Sequence, residues 1–121
     1  MEIGVGRLGR FVFDPGWYIY TGSAMTSLAS RLARHCYGPA SGKLHWHIDY
    51  LAPHGNDKAF KVLLPGIMSE CELNRAVGSI PGAVVPVKQF GSSDCACHSH
   101  LHRLPRKSWL LVAGLAAWRF D

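Results

Sequence analysis

The sequence predicts a small α/β protein of the α+β kind, with a mostly antiparallel β-sheet flanked by helices in the order β-β-α-α-β-α. Three observations carry that prediction. Two extended, aromatic-rich stretches open the chain on either side of an Asp-Pro-Gly turn, and helical stretches then alternate with one further strand. The 121 residues are 48% hydrophobic and 17% charged, which is enough for one packed core but too short for two ordinary domains.

The first stretch is "GRFVF" at 9–13, followed by "DPG" at 14–16, with proline and glycine where a tight turn wants them. "WYIYTG" at 17–22 then returns, so these two stretches are expected to pair antiparallel. Alternation places Trp17 and Ile19 on one face of that strand, and Tyr18 and Tyr20 on the other. "TSLASRLARHC" at 26–36 reads as a helix capped by Thr26 or Ser27. Leu28 and Leu32 form its apolar stripe, and Arg31, Arg34 and His35 share a second face. "YGPASGK" ends it.

"LHWHIDYLAP" at 44–53 fits two periods. As a strand it aligns His45, His47 and Asp49; as a helix it pairs His45 with Asp49 and Trp46 with Tyr50. We take the helix, ending at Pro53. "KAFKVLLPG" at 58–66 reads as a strand, and "SECELNRAVGS" at 69–79 as a helix capped by Ser69. Glu70 and Glu72 in its first turn complement the helix dipole. "GSSDCACHSHLHRL" at 91–104 reads as a ligand-rich loop.

The formal net charge is +5, which permits phosphate contacts without requiring them. No leader-like segment opens the sequence, so a cytoplasmic protein with reduced thiols at Cys36, Cys71, Cys95 and Cys97 is expected. The longest apolar run, "WLLVAGLAAW" at 109–118, is shorter than the roughly 18–20 residues a membrane span needs. No membrane partner is expected.

Three groups of residues carry possible chemistry. Tyr18, Tyr20, Arg31 and Glu70 suit phosphodiester chemistry: a guanidinium stabilises phosphate charge, a phenol positions a nucleophile, and a carboxylate holds a divalent cation. From spacing alone, a packed tyrosine, a surface arginine and a helix-start glutamate are the better reading. Cys95, Cys97, His98 and His100 are dense enough to bind zinc, with His45 or His47 as further donors. Against that, Cys-x-Cys is tighter than the usual zinc spacing, and a turn with half-buried cysteines is slightly favoured. His45, His47 and Asp49 serve equally as an acid–base pair or a structural hydrogen bond.

Taken together, these stretches resemble the GIY-YIG nuclease superfamily, specifically its small Uri-type subfamily. "YIYTGSA" resembles the second-strand motif and "LASRLARH" the helix motif. "HWHIDYL", "ECELNRAV" and "FGSSDCACHSHL" resemble the remaining signatures, so the likeness runs from about residue 4 to about residue 102. It implies a Mg²⁺- or Mn²⁺-dependent endonuclease acting on nucleic acid, DNA foremost. Tyr20, Arg31 and His35, with Tyr18, would be catalytic, and Glu70 would bind the metal, with Glu72 as fallback. Arg34, His45 and His47 are the candidates for holding substrate.

One departure stands out. The family opens with a strand carrying Gly-Thr-Tyr or Gly-Ile-Tyr, and no Gly-x-Tyr precedes Tyr18 here. The expectation is therefore an N-terminally shortened domain over 1–104, followed by an apolar tail over 105–121 that covers the exposed sheet. Two other readings stay open: a non-catalytic nucleic-acid-binding module, and a domain stabilised by Zn²⁺ at Cys95, Cys97 and His100.

Overall fold

The computed structural model describes residues 1–22, 28–39, 41–55, 57–59, 69–92, 95–105 and 117–120. It is a small α+β protein whose strands all pair antiparallel among the described residues.

β1 (Glu2–Gly4) and β2 (Arg10–Val12) form a two-stranded hairpin with Ile3 opposite Phe11. A short 3₁₀ turn at Gly6–Leu8 joins them, entered and left through positive-φ glycines at Gly6 and Gly9. This corrects the expected pairing. "GRFVF" pairs with β1, not with "WYIYTG", because the glycine-flanked turn brings the nearest complementary strand from the N-terminal side. The Asp-Pro-Gly segment instead carries the chain out of one sheet and into the other.

β3 (Gly16–Tyr20) lies in a four-stranded sheet with β4 (Asp57–Ala59), β5 (Leu101–Leu104) and β6 (Ala117–Phe120), in the order β4-β6-β3-β5. Tyr20 sits opposite Leu101 on one side of β3, and Tyr18 opposite Trp118 on the other. Residues 101–104 are therefore a strand, not a loop. Leu101 and Leu104 are buried in two different clusters, so "LHRL" lacks the alternation that marks a one-sided strand. The tail is also corrected at 117–120: it enters the sheet beside β3 and does not lie over it. Both flanks of β3 are paired. Residues 60–66 of the expected strand and 106–116 of the tail lie outside the described residues.

α1 (Leu28–Tyr37), α2 (His47–Leu51) and α3 (Glu70–Gly78) are the helices. A 3₁₀ turn at Ala52–His54 extends α2 through Pro53, in line with the helical reading. Ser69 Oγ accepts the Glu72 N–H and caps α3 as its sequence indicated. The caps proposed for α1, Thr26 and Ser27, lie outside the described residues.

The main core joins Ile3, Val5 and Phe13 from the hairpin region to Tyr18, Ile48, Leu51, Phe90 and Leu101. Tyr20 packs against its edge, while Ile19 faces a second cluster with Val77 and Leu104. The two faces of β3 thus divide the core as its alternation indicated. No helix among the described residues is long and apolar enough to cross a membrane.

Candidate metal centre and its surroundings

Three segments converge beyond the end of β3. Ser69 starts α3 and places Glu70 and Cys71 in its first turn. Buried Asn74, one turn on, donates to the Ser99 carbonyl at 2.7 Å and fastens the cysteine-bearing loop to the helix. The backbone at His100 closes the junction: its N–H donates to the Phe90 carbonyl at 2.7 Å, and its carbonyl accepts the Thr21 N–H at 2.9 Å.

The result is a cluster of Cys71, Cys95, Cys97 and His100, with one ligand atom from each lying within 4.8 Å of all the others. Cys71 Sγ is 3.1 Å from Cys97 Sγ, and Cys95 Sγ is 3.3 Å from His100 Nε2. A tetrahedral zinc site with ordinary Zn–S and Zn–N bonds has ligand–ligand edges of about 3.3–3.8 Å. Three sulphurs and one imidazole at such separations can hold a metal ion.

The proton pattern fits the same picture. The hydrogen bond between the two sulphurs pulls Cys97 down to about 7 and pushes Cys71 up to about 12. The Glu70 hydrogen bond, opposed by burial, lifts His100 to about 10. Four groups share protons in a space where one cation would replace them.

Glu70 takes an unexpected part. Its Oε1 lies 2.7 Å from His100 Nδ1, and the Thr21 carbonyl lies 3.0 Å from the same nitrogen. Mg²⁺ demands near-octahedral oxygen coordination. Glu70 brings a carboxylate to this cluster, its Oε1 already paired with His100 Nδ1. The sulphurs are soft donors that suit zinc, whereas Mg²⁺ takes oxygen, commonly from one or two carboxylates with several waters. Glu72 is exposed, with its N–H on Ser69.

The other expected site residues form a second group. The Tyr20 ring meets His35 edge-to-face, with centroids 5.9 Å apart, and Phe90 at 6.1 Å. The guanidiniums of Arg31 and Arg34 lie 4.1 and 4.5 Å from the centre of the Trp46 indole. Two cations over one ring need a counter-charge, and buried Asp49 supplies it, accepting from Arg34 Nη2 at 2.7 Å and Nε at 3.1 Å. Burial lowers His35 to about 4, against the pull of Asp49, so its imidazole is neutral at pH 7.

The remaining expected residues lie elsewhere. Tyr18 is fully buried in the core, its hydroxyl donating to the Asp14 carbonyl at 2.6 Å, with burial pushing it up to about 12. His47 Nδ1 accepts the Gly91 N–H at 2.8 Å, and burial lowers its affinity for a proton. His45 is exposed beside Trp46. Sequence reasoning missed Cys71 as the fourth donor, because it stands on a helix far upstream of the others. Treating the cysteines as one set would have raised it.

Fold and cluster together define a small α+β protein with a set of soft donors, able to hold a metal ion, gathered beyond the end of β3. The chain belongs to the family described as Domain of unknown function DUF123, whose family model matches residues 1–115. No curated protein and no solved structure matches it.

Proposed function

We propose that this chain is a nucleic-acid-acting domain, an endonuclease of the GIY-YIG, Uri-type kind, whose working surface is formed by Tyr20, Arg31 and His35. The observation that carries the proposal is the edge-to-face contact of Tyr20 with His35, on the same helix as Arg31. Arg31 supplies positive charge for a phosphate, and Asp49 fixes its neighbour Arg34 over the same indole. His35, neutral at pH 7, serves as an uncharged hydrogen-bonding group. Tyr20, held among Phe90, Gly91 and Gly22, presents a fixed phenol.

Cleavage of supercoiled and branched DNA, with Mg²⁺, Mn²⁺ or chelator, tests this against Arg31→Ala. Cutting that vanishes in the variant supports the reading, and cutting that persists refutes it. DNA binding without cutting transfers the assignment to a non-catalytic module.

A second reading rests on the Cys71, Cys95, Cys97 and His100 cluster: Zn²⁺ bound there stabilises the domain. The zinc would link the first turn of α3 to the loop before β5. Held by four protein donors, it would supply fold energy at a closed site. Metal analysis of the purified chain, with about one zinc per chain expected, tests it.

A further inference from the structure

We infer that Glu70 is a positioning residue, the carboxylate that orients His100 for a zinc ion held by His100 Nε2 and the sulphurs of Cys71, Cys95 and Cys97. This rests on the zinc reading above.

The argument turns on which imidazole nitrogen carries the proton. Nδ1 of His100 faces two oxygens, Glu70 Oε1 at 2.7 Å and the Thr21 carbonyl at 3.0 Å. A carbonyl oxygen accepts and never donates, and an ionised carboxylate does the same. Nδ1 must therefore bear the hydrogen. In the neutral ring this leaves the lone pair on Nε2, which is the nitrogen turned towards the sulphurs, 3.3 Å from Cys95 Sγ. The ring is 1% exposed, so water does not compete for either nitrogen.

Metal-bound histidines commonly carry such a partner, which sets the tautomer, fixes the ring plane and raises the basicity of the ligating nitrogen. Chain order adds to the case. Glu70 and Cys71 are adjacent in the first turn of α3, so one capped helix start presents both a ligand and the carboxylate that aims another ligand.

The same contact gives the expected Mg²⁺ ligand a second role, as the partner of an imidazole. Glu70 Oε1 holds one side of the Nδ1 proton, and the Thr21 carbonyl on the other side ties the centre to the end of β3, one residue past Tyr20.

The test measures zinc affinity of the full chain by competition with a chromophoric chelator, for wild type, Glu70→Ala, Glu70→Gln and the control Glu72→Gln. Glu70→Ala should bind zinc about 10- to 100-fold more weakly. Glu70→Gln should lose less, because its amide oxygen still accepts from Nδ1, and Glu72→Gln should match wild type. Co²⁺ substitution should give the same thiolate-rich tetrahedral spectrum in all four, showing that the ligands are unchanged. Circular dichroism confirms that each variant folds. Tight zinc binding that is indifferent to Glu70 overturns this inference and leaves the zinc reading standing. A wild-type chain that takes up no zinc overturns both. Mg²⁺ binding that depends on Glu70, measured by calorimetry, returns the residue to the role of catalytic-metal ligand.

Discussion

Arg34 grips Asp49 through both ends of its guanidinium fork, at 2.7 and 3.1 Å, and the Asp49 side chain is wholly buried while Arg34 keeps about a quarter of its surface. Asp49 Oδ2 also accepts the N–H groups of His45 and Trp46 at 2.9 Å, so one carboxylate anchors α1, the start of α2 and the loop between them. Burial alone would push the Asp49 carboxyl up, but the Arg34 bond and the two backbone donors outweigh it and hold it below the ordinary range.

Removing this carboxylate should therefore be costly. Asp49→Ala leaves the Arg34 guanidinium with only the Lys43 carbonyl and the Trp46 ring, unpairs two N–H groups, and should destabilise the chain by about 2–3 kcal/mol in urea unfolding. The loss should be smaller in acid. A carboxylate with a depressed folded pKa contributes stability above its unfolded pKa, and that stability disappears as the pH falls through the folded one. A deficit below about 1 kcal/mol at pH 7 would show that the junction holds without the ion pair.

His35 should impose a second acid dependence. Its imidazole titrates near 6.5 when unfolded and near 4 when folded, so between those values the unfolded chain takes up the extra proton. Stability should be full above pH 6.5 and decline towards pH 4, by at most about 3 kcal/mol from this residue. His35→Phe keeps an aromatic ring against Tyr20 and removes the proton, and should flatten the curve over that window. Identical pH profiles for the two proteins would mean that the ring is not held neutral.

Much of this arrangement was legible locally. The α3 cap at Ser69, the break after α1 and the two faces of β3 follow from short-range chemistry, namely side-chain capping, glycine and alternation. What escaped was set at long range. "GRFVF" pairs with β1 because a glycine-flanked turn selects that partner, and no property of Phe11 or Val12 distinguishes it from β3. "LHRL" becomes a strand because β3 offers it an edge. In the metal cluster, "CACHSH" announced itself by density, whereas Cys71 joined it only because α3 turns its first turn that way. Glu70 carried the signal of a metal residue, and its contact with His100 is a long-range one that its position in α3 did not announce.

Zinc should raise stability by mass action. If only the folded chain binds the ion, free zinc at one hundred times the dissociation constant adds about 2.7 kcal/mol, a shift in Tm on the order of 10 °C for a domain of this size. Scanning calorimetry with buffered zinc, and again with chelator, measures the difference. Cys97→Ser should remove most of it by taking one sulphur from the four donors. A wild-type Tm that ignores both zinc and chelator would exclude a structural ion.

Gly91 offers a test of how tightly Tyr20 is held. Its φ is +69°, and a Cβ built there falls 2.9 Å from Tyr20 Cε1 and 3.3 Å from His100 Cβ. Its N–H also donates to His47 Nδ1, which stops the loop from backing away. Gly91→Ala thus incurs a left-handed backbone cost of roughly 1–2 kcal/mol together with a clash that must move the tyrosine. Gly38→Ala separates the two contributions. Its φ is +84°, but nothing lies within 4 Å of a Cβ there, so it reports the backbone cost alone. Gly91→Ala should be the less stable of the two by about 1 kcal/mol or more, and any DNA cleavage should fall further in it than in Gly38→Ala. Equal losses in the two variants would mean that the loop yields freely and that Tyr20 is not fixed from this side.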